Sequence, residues 1–177
     1  DLFGNIDDRL KFQKDAWEKD PQNEKKAKAF ASTAIQASEW AMAVAPLEFL
    51  ISKEPENVGY LTQIGNVYNK LENSTKSEEV FSKLISLEPA NRDHYFYFGK
   101  ALMEAGKYSQ ARTQFLKASE VGGNWALPIF YEGFLYEQAA AGCTDFDRKV
   151  VYLLAQNTYR RALNMDPALS EAKDRIN

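Results

Sequence analysis

His94 and Cys143 are the only histidine and the only cysteine in a chain of 177 residues. These are the side chains whose ordinary pKa lies closest to neutral pH, and a Ser-His-Asp arrangement would rest on His94 alone. A Ser-His-Asp arrangement needs a serine held against the imidazole and an acid behind it. No glycine-framed serine or comparable signature occurs. A lone histidine excludes a multi-histidine metal site, and a lone cysteine excludes an internal disulfide framework and a cysteine metal cluster. His94 is read as a surface or half-packed residue among aromatic neighbours at a helix start. Cys143 is read as a small apolar residue in a turn, where an exposed thiol would be open to oxidation. Asn73-Ser74-Thr75 fits the glycosylation acceptor pattern, a tripeptide common by chance. Lys25, Lys26 and Lys28 read as a solvated helix face rather than a phosphate site. The expectation is a protein with no catalytic site, no cofactor and no metal.

The composition agrees with a folded chain. Hydrophobic residues make up 45% and charged residues 27%, ordinary for a single folded domain. A formal charge of −3 argues against nucleic acid, which calls for a basic face. No apolar run approaches the roughly 20 residues of a membrane span; the longest, Ala41 to Leu50, is broken by Pro46. The sequence begins at Asp1 rather than Met, read as a trimmed or processed form. That leans toward a bacterial extracytoplasmic (periplasmic) protein, with the cytoplasm as the alternative.

The elements that position these side chains are announced by proline. Pro21, Pro55 and Pro89 recur every 34 residues, each in an acidic-Pro-x-Asn tetrad: Asp20 to Asn23, Glu54 to Asn57 and Glu88 to Asn91. Asp166-Pro167 closes the chain 78 residues after Pro89, two periods plus ten. Proline lacks a backbone donor and clashes with the preceding turn, so a stop at fixed intervals marks one helical unit repeated. Leu61, Ile64, Gly65, Tyr68, Ser77, Phe81, Leu84 and Pro89 fall at fixed offsets. Tyr95, Phe98, Gly99, Leu102, Ala111, Phe115, Ala118 and Gly123 repeat them 34 residues on. Leu61, Ile64 and Tyr68 share one helical face. Gly65 permits close approach of a second helix, and Phe81 or Phe115 is expected to fill the space between neighbouring hairpins. Pro46 is expected to kink the helix that contains it or, alternatively, to start that helix.

These columns resemble the tetratricopeptide repeat, W-x2-L-G-x2-Y…A-x3-F…P. The resemblance covers about residues 24–177 and implies an all-α, right-handed α-solenoid of antiparallel helix hairpins with terminal capping helices. Residues 1–177 are then one domain. Its parts are an N-terminal helix or half-repeat (1–23), a degenerate repeat (24–57), repeats at 58–91 and 92–125, a repeat at 126–167, and the start of a C-terminal capping helix (168–177). Tyr136 to Ala155 is 19 residues, against 9 from Tyr68 to Ser77, so about ten residues are inserted near 139–145. They are expected to lengthen both helices around a turn at 142–144, with Thr144 and Asp147 as a capping box.

In that family the first helix of each hairpin lines a concave groove. The matching positions here include Thr62, Gln63, Asn66 and Asn69, then Phe96, Tyr97, Lys100 and Met103, then Phe130, Tyr131 and Phe134. The groove passes from amide-rich to aromatic, and its apolar stripe implies an extended or helical peptide with apolar anchors; the alternative is that these rings pack between helices or under the C-terminal cap. The chaperone-binding subset uses a two-carboxylate clamp. Its positions are filled here by Lys28, Ser32, Gln63, Asp93 and Tyr97, or one repeat later by Thr62, Asn66, Tyr97, Leu127 and Tyr131. Neither set supplies the cations a terminal carboxylate needs, so a chaperone C-terminal tail is not the expected partner. The expected function is an interaction scaffold or adaptor for a protein or peptide partner. The alternative is a self-assembling or complex-assembly subunit that associates through 168–176, with an accessory subunit of an enzyme third.

Overall fold

The computed structural model describes residues 4–176, in which ten α-helices follow one another. The ends of the first and last expected segments, 1–3 and 177, lie outside the described residues. Contacts divide the chain into two compact units, the first ending at Leu87 and the second starting at Glu88.

The first unit contains α1 (Ile6–Glu18), α2 (Glu24–Gln36), α3 (Trp40–Lys53), α4 (Val58–Lys70) and α5 (Ser74–Leu87). Each helix packs against the next. Leu10, Phe30, Leu47, Leu50, Ile64 and Tyr68 form its core, with Trp17 and Trp40 packed on the margin. Pro46 lies inside α3 rather than in its first turn, and its ring is fully buried. It leaves the Met42 carbonyl without the amide partner four residues on.

The second unit contains α6 (Arg92–Glu104), α7 (Tyr108–Val121), α8 (Ala126–Ala140), α9 (Asp145–Met165) and α10 (Ser170–Ile176), again packed in sequence. The last hairpin has helices of 15 and 21 residues, against 13 and 14 in the preceding one, so most of the insertion extends α9. The expected capping box does not form. Thr144 makes no side-chain cap bond; its hydroxyl instead donates to Asp147 Oδ2 at 2.6 Å.

Two repeated devices set the helix boundaries. In each tetrad the Asn backbone N–H donates to the carbonyl of the acidic residue three positions earlier, at 3.0–3.1 Å, closing a turn with proline in its second position. The Asn Oδ1 then caps the next helix, accepting from Lys26, Tyr60 or Asp93 N–H. The Asn Nδ2 donates back to the acidic side chain at 2.9–3.0 Å. The acid is thus the anchor of a helix cap as well as part of the stop. Inside the hairpins, Ser38, Glu72 and Gly106 adopt left-handed φ values of 59°, 55° and 73°. The residue after each donates to the carbonyl five positions back, from Glu39 to Ala34, Asn73 to Tyr68 and Lys107 to Leu102. This is the glycine-type helix ending, made with glycine in only one of the three cases.

Candidate peptide-binding surface

The second unit gathers a cluster of aromatic rings where α6 meets α8. Phe96 lies at the centre, with ring centroids 4.9 Å from Trp125, 5.2 Å from Tyr131, 5.5 Å from Tyr97 and 5.9 Å from Phe115. Phe130 continues the set, 5.5 Å from Tyr131 and 5.4 Å from Tyr159. Trp125 is held over α6 by the Arg92 guanidinium, 4.4 Å from its ring. Tilted and edge-on rings at these distances are the favoured arrangements.

Depth separates floor from rim. Phe96 is 6% exposed and Phe115 and Tyr159 are fully buried. Of the two readings of Phe96, groove anchor or packing between helices, the structure gives the second: its ring fills the space that Trp125 and Tyr131 close. Tyr97 is 38% exposed, and Lys100, Met103, Phe130, Tyr131 and Phe134 are half-buried. Tyr97, Lys100 and Glu104 follow helical spacing on α6, as Phe130, Phe134 and Glu137 do on α8.

Charges border these rings. Lys100 Nζ lies 5.8 Å from the Tyr131 ring centre, and the Arg175 guanidinium lies 5.2 Å from Phe134 while pairing with Glu137 at 2.7 Å. Burial raises the Tyr131 hydroxyl above its usual pKa, and the Glu171 and Glu104 carboxylates add to the shift. The rim therefore offers ring faces, the phenols of Tyr97 and Tyr131, and charges of both signs. Such a surface suits a segment with an apolar anchor and polar flanks.

The amide-bearing candidates belong to the first unit, on α4. Thr62 and Asn66 are half-buried and Gln63 is exposed. Asn69 turns toward α5, where its Oδ1 accepts from Ser77 Oγ, so it braces its own hairpin. Lys28 lies 5.4 Å over the Tyr60 ring. Lys26, expected to be solvated, pairs with Asp20 at 3.0 Å.

Two buried polar residues stand outside the sequence reading. His94 is 3% exposed rather than surface or half-packed; its Nε2 lies 3.7 Å from Glu88, and no serine partners it among the described residues. Glu132, not singled out from the sequence, is 1% exposed and clamped by Arg112 at 2.7 Å and by Arg161. The available signal was its column, which holds Ile64 and Phe98 in the preceding repeats. Among the described residues no His, Cys, Asp or Glu cluster could hold a metal, and no helix is long and apolar enough to cross a membrane.

Residues 58–91 match the sequence model of the tetratricopeptide repeat. No curated protein sequence matches the chain. Among solved structures, one of MamA superposes with a TM-score of 0.73 at 15% identity, covering 95% of this chain and 92% of that one. TTC0263, a tetratricopeptide-repeat protein of Thermus thermophilus, gives 0.62 at 16% identity, with 98% and 89% covered. YrrB, described as a tetratricopeptide-repeat protein with an unusual peptide-binding site, gives 0.70 at 18% identity, with 96% and 82% covered.

Proposed function

We propose that this chain, which carries a tetratricopeptide repeat at 58–91 and has the all-α fold of tetratricopeptide-repeat proteins, is a non-catalytic interaction scaffold whose α6/α8 surface takes a peptide segment. One observation carries the reading: Tyr97, Phe130, Tyr131 and Phe134 form a partly open aromatic rim above a floor of buried rings. A rigid floor fixes the rim side chains before a partner arrives, which lowers the ordering cost of association. Lys100 and Arg175 on the ring faces would select carboxylates beside the anchor. The description of YrrB as a peptide-binding protein supports the same class of function.

The test is a peptide array of apolar anchors with varied flanks, followed by titration calorimetry of the best sequences. Tyr97→Ala with Phe134→Ala is expected to weaken binding at least tenfold with helicity unchanged. Thr62→Ala with Gln63→Ala, on the other unit, is expected to leave it within about twofold. Unchanged affinity in the Tyr97/Phe134 protein would remove the surface from consideration. Phe96 is unsuited to this test, because truncating a buried ring costs about 3–5 kcal/mol of stability.

A further inference from the structure

The first ten residues of α9, 145–154, contain no buried residue, although six are large and apolar or aromatic. Phe146 is 77% exposed, Leu153 57%, Val150 51%, Tyr152 46% and Leu154 44%. Phe146, Val150, Leu153 and Asn157 stand at i, i+4, i+7 and i+11, one stripe along the helix. At 3.6 residues per turn that stripe is half a turn away from Ala155, Thr158, Tyr159 and Ala162, the buried face of α9. A helix apolar on both faces is covered in its working state. These five side chains present on the order of 500 Å² of largely apolar surface, at the upper end for a lone monomer patch.

We infer that this stripe pairs antiparallel with the same stripe of a second copy of the chain, about a two-fold axis at Leu153. The charge order along α9 selects that occupant. The first turn carries Asp145 and Asp147, Asp145 pairs within its own helix with Arg148 at 3.6 Å and Lys149 follows, the middle is apolar, and Arg160 lies seven residues past Leu153. Around that axis Arg160 of one copy stands level with Phe146 of the other, between its Asp145 and Asp147. Asp145 is 95% exposed, and among the described residues Arg160 bonds its neighbour Asn157. Each arginine thus gains a carboxylate and an aromatic face, and the symmetry supplies the contact twice. The patch falls short of the roughly 800 Å² per partner of a standard interface, so the dimer is concentration-dependent.

Sedimentation equilibrium from about 1 to 500 μM reads the proposal directly. The wild-type chain is expected to follow a monomer–dimer equilibrium. Leu153→Lys or Phe146→Ser, both at exposed positions, should raise the dissociation constant more than tenfold with an unchanged circular dichroism spectrum. Arg160→Asp should weaken it, and adding Asp145→Arg should restore it. In a Cys143→Ser background, Leu153→Cys should give a disulfide dimer on mild oxidation, because the two side chains meet on the axis. A wild-type chain monomeric throughout, a dimer indifferent to Leu153→Lys, failure of the charge exchange to restore pairing, or no cross-link through position 153 would each overturn it. So would a monomer that floats with phosphatidylserine vesicles, which would assign the stripe to a lipid surface.

Discussion

The Nε of Arg112 lies 2.7 Å from Oε1 of Glu132, a carboxylate 1% exposed at a position where the two preceding repeats carry Ile64 and Phe98. Arg161 donates to the other oxygen, and the Tyr136 hydroxyl donates at 3.3 Å. A charge in an apolar column is tolerated because α7 and α9 each bring a cation to α8. Both arginine side chains remain about half exposed.

That asymmetry predicts unequal costs. Arg112→Ala with Arg161→Ala leaves a buried carboxylate without cations and should cost about 3–5 kcal/mol. Glu132→Leu frees two arginines that already reach water, and should cost no more than about 1 kcal/mol. Urea denaturation of both proteins measures the difference; equal losses would mean the pairing does not offset the burial.

The glycine column predicts a graded series. A Cβ on Gly99 would lie 2.6 Å from the Phe115 ring, and one on Gly133 2.6 Å from the Tyr159 ring, whereas one on Gly65 would lie 3.2 Å from Phe81 and Val80. Each aromatic ring presses on the glycine of its own hairpin, and Phe115 also packs 5.4 Å from Tyr131 of the next hairpin, the filling between hairpins expected from the columns. Alanine gains about 1 kcal/mol of helix propensity over glycine, and overpacking costs about 1–3 kcal/mol. Gly99→Ala and Gly133→Ala should therefore lower thermal stability, with Gly65→Ala close to neutral.

Gly106 isolates backbone strain from packing. It has φ of 73° and nothing within 4 Å of an added Cβ, so alanine meets no clash and pays only for the left-handed conformation. Gly106→Ala should lose about 1–2 kcal/mol. The reverse change, Glu72→Gly, should be neutral or mildly stabilising, read by the same melts.

The first unit should be acid-sensitive at Glu48. The Tyr68 hydroxyl donates to it at 2.7 Å and Lys76 at 2.9 Å, holding its carboxyl below the usual value of 4.5, the Tyr68 bond first. A carboxylate with a lowered folded pKa contributes stability above its unfolded pKa and loses it as pH falls through the folded value. Glu48 is about half exposed, so the contribution is under about 1 kcal/mol. Glu48→Gln should be slightly less stable at pH 7, and the gap should close below about pH 4, measured by denaturant midpoints.

Much of the fold was legible because its signals are local. An acid, a proline and an asparagine within four residues make a complete turn and cap, so the tetrads locate α2, α4 and α6 without reference to anything distant. The spacing of Leu61, Ile64 and Tyr68 likewise places the buried face of α4. Ser38 and Glu72 were not legible as left-handed residues, since neither side chain favours that conformation; the hairpin closure imposes it. Of the aromatic stripe, helical spacing placed Phe96 and Tyr97 as neighbours but could not rank their depth. Adjacent residues on a helix differ by about 100°, and which of them faces Trp125 and Tyr131 depends on the neighbouring helices.

The sequence by itself determined the repeat register, the helix-hairpin units and the lengthening of the last hairpin, because each follows from contacts within a few residues. Only the tertiary structure decided that Phe96 and His94 are buried, that Glu132 is clamped by two arginines, and that the extended start of α9 remains uncovered. Burial depends on what other helices bring to a position, and residues far apart in the chain meet only after the helices have packed.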